Sequence, residues 1–326
     1  MSKKSLLWLA AAAGLGWAGR AAVRAARRLC LADKVVVLTG GSRGLGLVLA
    51  RQLAAARARL VICARDADEL ERARVELVIR GAEVRALRCD VTERGQVEEM
   101  MQRVVDDLGG IDILINNAGV IEVVPAEVMT LADYEEALRT HFWGPLYTIS
   151  AALPHLRRRP AGRIVNIASI GGKISVPHLV PYSVSKFALV ALSEGLRAEL
   201  LKDGIYVTTV IPGLMRTGSP RNATFKGQHR AEYAWFSISD SLPLVSISAE
   251  HAARRIIDAC RHGDAACRTR PWALSGTECR YARRGPSPPP GHRRYHDRPR
   301  PRRGVRFGAV AVASDGADRG GGAPQQ

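Results

Sequence analysis

The chain has 326 residues, 47% of them hydrophobic and 24% charged, with a formal net charge of +17. That length and apolar content suit one large domain with its own core, and they exclude a wholly disordered chain or a small disulfide-stapled scaffold. The charge sits at the ends, +6 in residues 1–30 and +9 in residues 268–326, leaving +2 between them. A nearly neutral body argues against nucleic acid as its partner. Six cysteines are scattered without a Cys-x-x-Cys pair, so no metal-ligand spacing is present.

Lys3 and Lys4 precede an apolar run from Leu6 to Gly19, which reaches Val23 if Arg20 snorkels. Residues 6–23 are a candidate membrane anchor or interfacial helix, and the basic cluster after them would keep the following domain facing the cytoplasm. The alternative is a surface helix.

From Lys34 to Ile211 apolar β-branched runs alternate with helical periodicity. Strands are predicted at Lys34–Thr39, Leu60–Ala64, Val84–Cys89, Ile111–Asn116, Arg163–Ser169 and Tyr206–Ile211. Helices are predicted at Gly44–Arg57, Asp68–Arg80, Thr92–Leu108, Leu131–Leu156, Ser183–Lys202 and Ala249–Arg261. Continuously apolar strands separated by helices imply a parallel sheet covered on both faces, a single-domain α/β Rossmann-type doubly wound fold over residues 31–266. Gly213–Leu242 lacks periodicity and reads as a lid, with Phe225, Tyr233, Trp235 and Phe236 as an apolar mouth. Residues 267–326 are rich in Arg, Pro and Gly and read as a disordered tail. Such a composition suits a basic tail for nucleic acid or acidic lipid, or out-of-frame reading of a GC-rich gene.

Thr39-Gly-Gly-Ser-Arg-Gly-Leu-Gly46 joins the first strand to the first helix of this series. Gly40, Gly44 and Gly46 let backbone approach a pyrophosphate, and the N–H groups around Ser42, Arg43 and Leu45 face it at the helix N-terminus. At the end of the second strand, Ala64 and Arg65 stand where an NAD-binding site places an acid. Arg43 and Arg65 offer two guanidiniums to a 2′-phosphate, which favours NADP(H) over NAD(H). Asp66, one residue later, leaves the alternative open.

Tyr182 and Lys186 are four apart and share a helix face. A nearby ammonium and an oxidised nicotinamide would lower the phenol pKa, letting Tyr182 exchange a proton with a substrate oxygen. Ser169 ends a strand and would position the same oxygen, and Lys186 would hold the nicotinamide ribose.

Together these residues closely resemble the short-chain dehydrogenase/reductase family over about residues 31–265. The resemblance implies Ser169, Tyr182 and Lys186 as catalytic residues. It also implies cofactor contacts at Asp90, Asn117, Gly119, Pro212, Gly213 and Thr217, and homodimers or homotetramers formed through the helices at 131–158 and 183–202. There are two departures. Thr140-His141-Phe142-Trp143-Gly144 carries His141 where the family has an Asn. No strand is expected after the helix at 249–261 before Gly308–Val312, which would leave a sheet edge open. The expected function is NADP(H)-dependent hydride transfer between the nicotinamide and a carbonyl or secondary alcohol, on a hydrophobic small molecule. The alternative is a cofactor-binding protein of the same fold with weak or no catalysis.

Overall fold

The structure is a computed structural model that describes residues 3–216, 223–227 and 246–269. The chain divides into two compact units, Met1–Cys279 and Arg280–Gln326, and the second lies wholly outside the described residues.

Short runs of branched apolar residues form the strands, as their preference for a pleated, packed surface dictates. They are β1 (Val35–Thr39), β2 (Arg59–Ala64), β3 (Val84–Arg88), β4 (Ile113–Asn116), the two-residue β5 (Glu122–Val123), β6 (Arg163–Ile167) and β7 (Tyr206–Pro212). After these come the short β8 (Met215–Arg216), β9 (Thr224–Phe225) and β10 (Ile247–Ser248), then β11 (Ala266–Thr269). Seven of them form one parallel sheet in the order β11-β7-β6-β4-β1-β2-β3. The helices are α1 (Lys3–Ala26), α2 (Gly44–Ala55), α3 (Ala67–Ile79), α4 (Arg94–Leu108), α5 (Leu131–Leu138), α6 (Gly144–Leu156), α7 (Val180–Leu200) and α8 (Ala249–His262).

Alternation within a strand sends successive side chains to opposite faces. Val36 and Leu38 of β1 join one core with Leu49 and Leu53 of α2, Leu77 of α3 and Ile256 of α8. Val35 and Val37 join the other, with Met101 and Val104 of α4, Ile149 and Leu156 of α6 and Leu200 of α7. Each such side chain contributes about 1.5–3 kcal/mol when fully buried. The doubly wound sheet expected from the sequence is therefore the one found. Strand order reverses between β1 and β4, which opens a crevice beyond their C-terminal ends, where ligands of this fold class bind.

Several expectations are corrected. A final sheet strand does exist: β11 pairs parallel with β7 through Cys267↔Val210 and Thr269↔Pro212. Its four residues are too short to show a pattern, but Cys267 and Thr269 point inward, and the sheet runs three residues past the expected domain end at 266. The predicted helix 131–156 is α5 and α6 joined by a π-helical turn, Arg139–Trp143. That turn buries Thr140 and His141. Within the expected lid, β8 pairs with β10 and β9 with β5. Phe225 is buried beside Val123 and Leu179 rather than lining a mouth. Tyr233, Trp235 and Phe236, and the tail from residue 270 onward, lie outside the described residues.

The candidate membrane span is also revised, because among the described residues no helix is long and apolar enough to cross a membrane. The C-terminal end of α1 is tied to the domain instead. Arg24 pairs with Asp264 and Asp258, and Leu29 N–H donates to Arg261 O at 2.8 Å. Arg163, 1% exposed, completes the junction. Its guanidinium donates to Cys260 O and Arg27 O, both at 2.9 Å, and stacks 4.5 Å from the Tyr206 ring centroid. Backbone carbonyls rather than a carboxylate satisfy it, and burial lowers its pKa.

Candidate active site at the sheet switch point

The glycine turn is built around the end of β1. Thr39 Oγ1 accepts the N–H groups of Asn117 and Ala118 at 3.0 Å each. The Asn117 amide donates back to Thr39 O at 3.0 Å and Gly40 O at 2.9 Å. Asn117 thus clasps the turn to the strand beside it, a role that precedes any contact with ligand. Gly40 has φ +65°, and a Cβ on Gly46 would stand 1.9 Å from Gly40 O, so the turn closes only with glycine there.

No side chain caps the N-terminus of α2, where Arg43 sits in extended conformation. The free N–H groups of that first turn suit a pyrophosphate. The donor set and the glycine cradle fit a dinucleotide.

At the outer end, Arg43 and Arg65 each face a carboxylate. Arg43 Nη1 donates to Glu69 Oε1 at 3.0 Å, and Ser42 Oγ donates to Glu69 Oε2 at 3.4 Å. Arg65 lies 3.8 Å from Asp90, and both line a cavity of about 450 Å3. Asp90 is also occupied by the N–H and hydroxyl of Thr92. Asp66 accepts the Glu69 N–H at 2.8 Å as the N-cap of α3, which explains why an acid stands one residue beyond the position an NAD-type site would use.

Ser169, Tyr182 and Lys186 come together on the other side of the crevice. Ser169 follows β6 and accepts the Gly171 N–H at 3.1 Å. α7 begins at Val180, earlier than expected, with Pro181 in its first turn where a missing N–H costs nothing. Tyr182 is therefore already helical and shares a face with Lys186. A Cβ on Gly171 would meet the Tyr182 ring at 3.1 Å and Ser169 Oγ at 3.5 Å; the bare glycine leaves room for both. Lys186, 5% exposed, donates to Ile167 O at 3.0 Å and lies 5.7 Å from the Tyr182 ring centroid.

The electrostatics differ from expectation. Burial raises the Tyr182 phenol above its ordinary pKa, and a hydrogen bond with Ser169 opposes that rise. Lys186 does not lower it here, because burial brings Lys186 itself down to about 7. An unfolded lysine keeps its proton to about pH 10.4. Between about pH 7 and 10 the unfolded chain then binds more protons, so this group makes stability rise with pH. Without cofactor, wild type is expected to gain about 3 kcal/mol on Lys186→Met between about pH 6 and pH 9. Denaturant unfolding at both pH values measures it; a constant difference would mean that folded Lys186 stays protonated throughout.

His141 packs edge-on against Tyr182 with ring centroids 5.3 Å apart. The Ser185 hydroxyl donates to Tyr182 O at 2.7 Å, so the 2.8 Å contact with His141 requires a proton on Nδ1. Nε2 accepts the Val120 N–H at 3.1 Å. Burial, with the Lys186 charge second, holds its pKa well below the ordinary histidine value, so the ring stays neutral. Gly119 lies over it, its hypothetical Cβ 3.1 Å from Nε2 and 3.8 Å from Lys186 Nζ. Pro212 ends β7, and the Gly213 N–H donates to Thr269 O at 3.3 Å, which places both at the C-terminal end of β7 beside β11. Thr217 lies outside the described residues.

A buried polar chain behind the site has no counterpart in the sequence expectations. Thr148 donates to Asn116, Asn116 to Asn166, and Asn166 to Ser193, which also accepts from Thr209. The signal was an Asn inside each of two apolar strand runs, since a buried amide must find partners.

Residues 34–226 match the family model described as short chain dehydrogenase. The chain belongs to that family. A relative from Anopheles gambiae, a dehydrogenase/reductase SDR family protein 7-like, is 38% identical over 199 residues, covering 59% of this chain and 62% of that one. The chain spans about three fifths of the length of the first curated relatives it matches. A solved actinorhodin polyketide ketoreductase with NADPH superposes with a TM-score of 0.66 at 27% identity, over 73% of this chain and 96% of that one. A Burkholderia phymatum short-chain dehydrogenase in complex with NAD, with a TM-score of 0.69 at 24% identity over 74% and 90%, shares the fold. Short-chain dehydrogenases are nicotinamide-dependent oxidoreductases acting on small molecules, and the crevice described above is where such a dinucleotide would lie.

Proposed function

We propose that this short-chain dehydrogenase is an NADP(H)-dependent reductase of hydrophobic ketones or aldehydes, with Ser169, Tyr182 and Lys186 as its catalytic residues. The observation that carries the reading is the convergence of Ser169, Tyr182 and buried Lys186 across the crevice from an uncapped glycine turn. When bound, the nicotinamide supplies or accepts the hydride. Ser169 orients the substrate oxygen and Tyr182 exchanges its proton. The Tyr182 phenol is protonated at neutral pH, the form that donates to a carbonyl oxygen. Gly40, Ser42, Gly44, Leu45 and Gly46 would hold the pyrophosphate side, Arg43 and Arg65 the 2′-phosphate, and Asp90 the adenine. Asn117, Gly119, Pro212, Gly213 and Thr217 would border the remainder.

Ile121, Val176 and Ala223 pack with Tyr182 around Val123, Leu179 and Phe225. That apolar wall beside the phenol supports a hydrophobic substrate. Exposed Trp143 between α5 and α6, with Val184 and Phe187 on α7, supports a homodimer or homotetramer. Exposed Trp8 and Trp17 support interfacial membrane contact through residues 6–23. The functional divisions are 1–30, a middle one from 31 that extends past the expected end at 266 to Thr269 so as to include β11, and the remaining tail.

Thermal unfolding of the full chain with NADPH and with NADH tests the reading. A larger rise in Tm with NADPH, followed by NADPH oxidation on an apolar carbonyl, is the expected result. No rise with either cofactor counts against it. Binding without turnover across a carbonyl panel would favour the second reading, a cofactor binder with weak catalysis. One observation favours that alternative: both nitrogens of His141 are engaged, leaving no position to organise a solvent molecule near Lys186.

A further inference from the structure

The site that would recognise a 2′-phosphate already contains a negative charge. Asp66 caps α3 and sets Glu69 three residues into that helix, facing the glycine turn. The two carboxylate oxygens of Glu69 take one donor each, Arg43 Nη1 at 3.0 Å and Ser42 Oγ at 3.4 Å. All three residues line a cavity of about 240 Å3 that is also bordered by Arg72 and Glu76. Glu76 is engaged elsewhere, by Arg51 at 2.7 and 2.8 Å and by Arg80 at 2.9 Å. Glu69 is thus the carboxylate that occupies the Arg43 guanidinium. Arg65 points to Asp90 instead, at 3.8 Å.

We propose that Glu69 is a specificity-determining residue: its carboxylate competes with the cofactor 2′-phosphate for Arg43 and Ser42, and so moderates discrimination between phosphorylated and unphosphorylated cofactor. A phosphate using these donors displaces the carboxylate or shares them with it at a few ångströms, where like charges repel. A cofactor ending in a 2′-hydroxyl meets no such repulsion. The inference rests on the assignment of Arg43 to the 2′-phosphate.

Isothermal titration of the full chain with adenosine 2′,5′-bisphosphate and with adenosine 5′-monophosphate tests it without turnover. Glu69→Gln keeps the shape and removes the charge. It is expected to tighten the bisphosphate roughly tenfold and the monophosphate by less than about twofold. Raising the salt from about 20 to 500 mM should shrink the difference between variant and wild type, which a purely structural effect would not do. An unchanged bisphosphate affinity, or an equal gain for both nucleotides, overturns the proposal. Arg43→Ala separates the underlying assignment. If wild type prefers the bisphosphate and this variant loses the preference, the 2′-phosphate reading holds whatever Glu69 does. If wild type has no preference and Glu69→Gln creates one, the NADP(H) preference falls and the role of Glu69 stands.

Discussion

Replacing Tyr182 with Phe is expected to lower turnover at least about a hundredfold while leaving NADPH affinity within a factor of about two. The substitution removes one oxygen and keeps the ring. That ring makes the local packing, edge-on against His141 at 5.3 Å and close to the bare Cα of Gly171. The main-chain carbonyl that Ser185 uses is also retained. What is lost is the only hydroxyl in the described crevice that pairs with Ser169 and stands on the Lys186 face of α7. A lower kcat with unchanged cofactor affinity is the signature of a group acting in the transition state. Steady-state rates with any accepted carbonyl, paired with a cofactor titration, make the measurement. Turnover within about tenfold of wild type would remove Tyr182 from the proton transfer and leave Ser169 and the neutral His141 to be tested in its place.

The division between what the residues announced and what they did not follows physical range. Val35–Thr39 or Ile113–Asn116 can be read as buried strands because an apolar β-branched run has few other places to go. The glycine turn and the Tyr182/Lys186 spacing are likewise local, and each fixes geometry within one turn of chain. The last strand is illegible in the sequence because Ala266–Thr269 is four residues long with Arg268 in it, and becomes a strand only through pairing with β7. The π-turn at Arg139–Trp143 was hidden because one extra residue barely disturbs helical periodicity. Charge partners were the least legible. Arg43 and Arg65 suggest a phosphate site, and the fold sets them beyond the ends of β1 and β2. Glu69, however, comes 26 residues after Arg43 and meets it only once α3 has packed beside α2. The raised Tyr182 pKa of the cofactor-free chain has a similar origin. Spacing places an ammonium nearby, but only the folded interior sets the burial that raises the phenol and brings Lys186 to about 7.

Gly46→Ala is expected to abolish cofactor binding and destabilise the chain by about 3 kcal/mol or more. The atom a Cβ would meet first is not a side chain that can rotate away. It is the carbonyl oxygen of Gly40, 1.9 Å distant, with the Asn117 amide nitrogen next at 2.7 Å. Gly40 O is itself held by that amide, and the Gly40 N–H is held by Cys63 O at 2.8 Å. Relief therefore requires the turn to part from β4 or β2. Either movement breaks buried backbone bonds and shifts the N-terminus of α2 off its axis. Gly195→Ala provides the contrast: that glycine lies inside α7 with nothing within 4 Å of its hypothetical Cβ. There the change should stabilise by up to about 1 kcal/mol, because alanine has the higher helix propensity. Denaturant midpoints for the two variants, with a nucleotide titration on each, make the comparison. Wild-type stability and binding in Gly46→Ala would mean that the turn can relax, and that its glycines serve ligand approach rather than closure of the strand-to-helix junction.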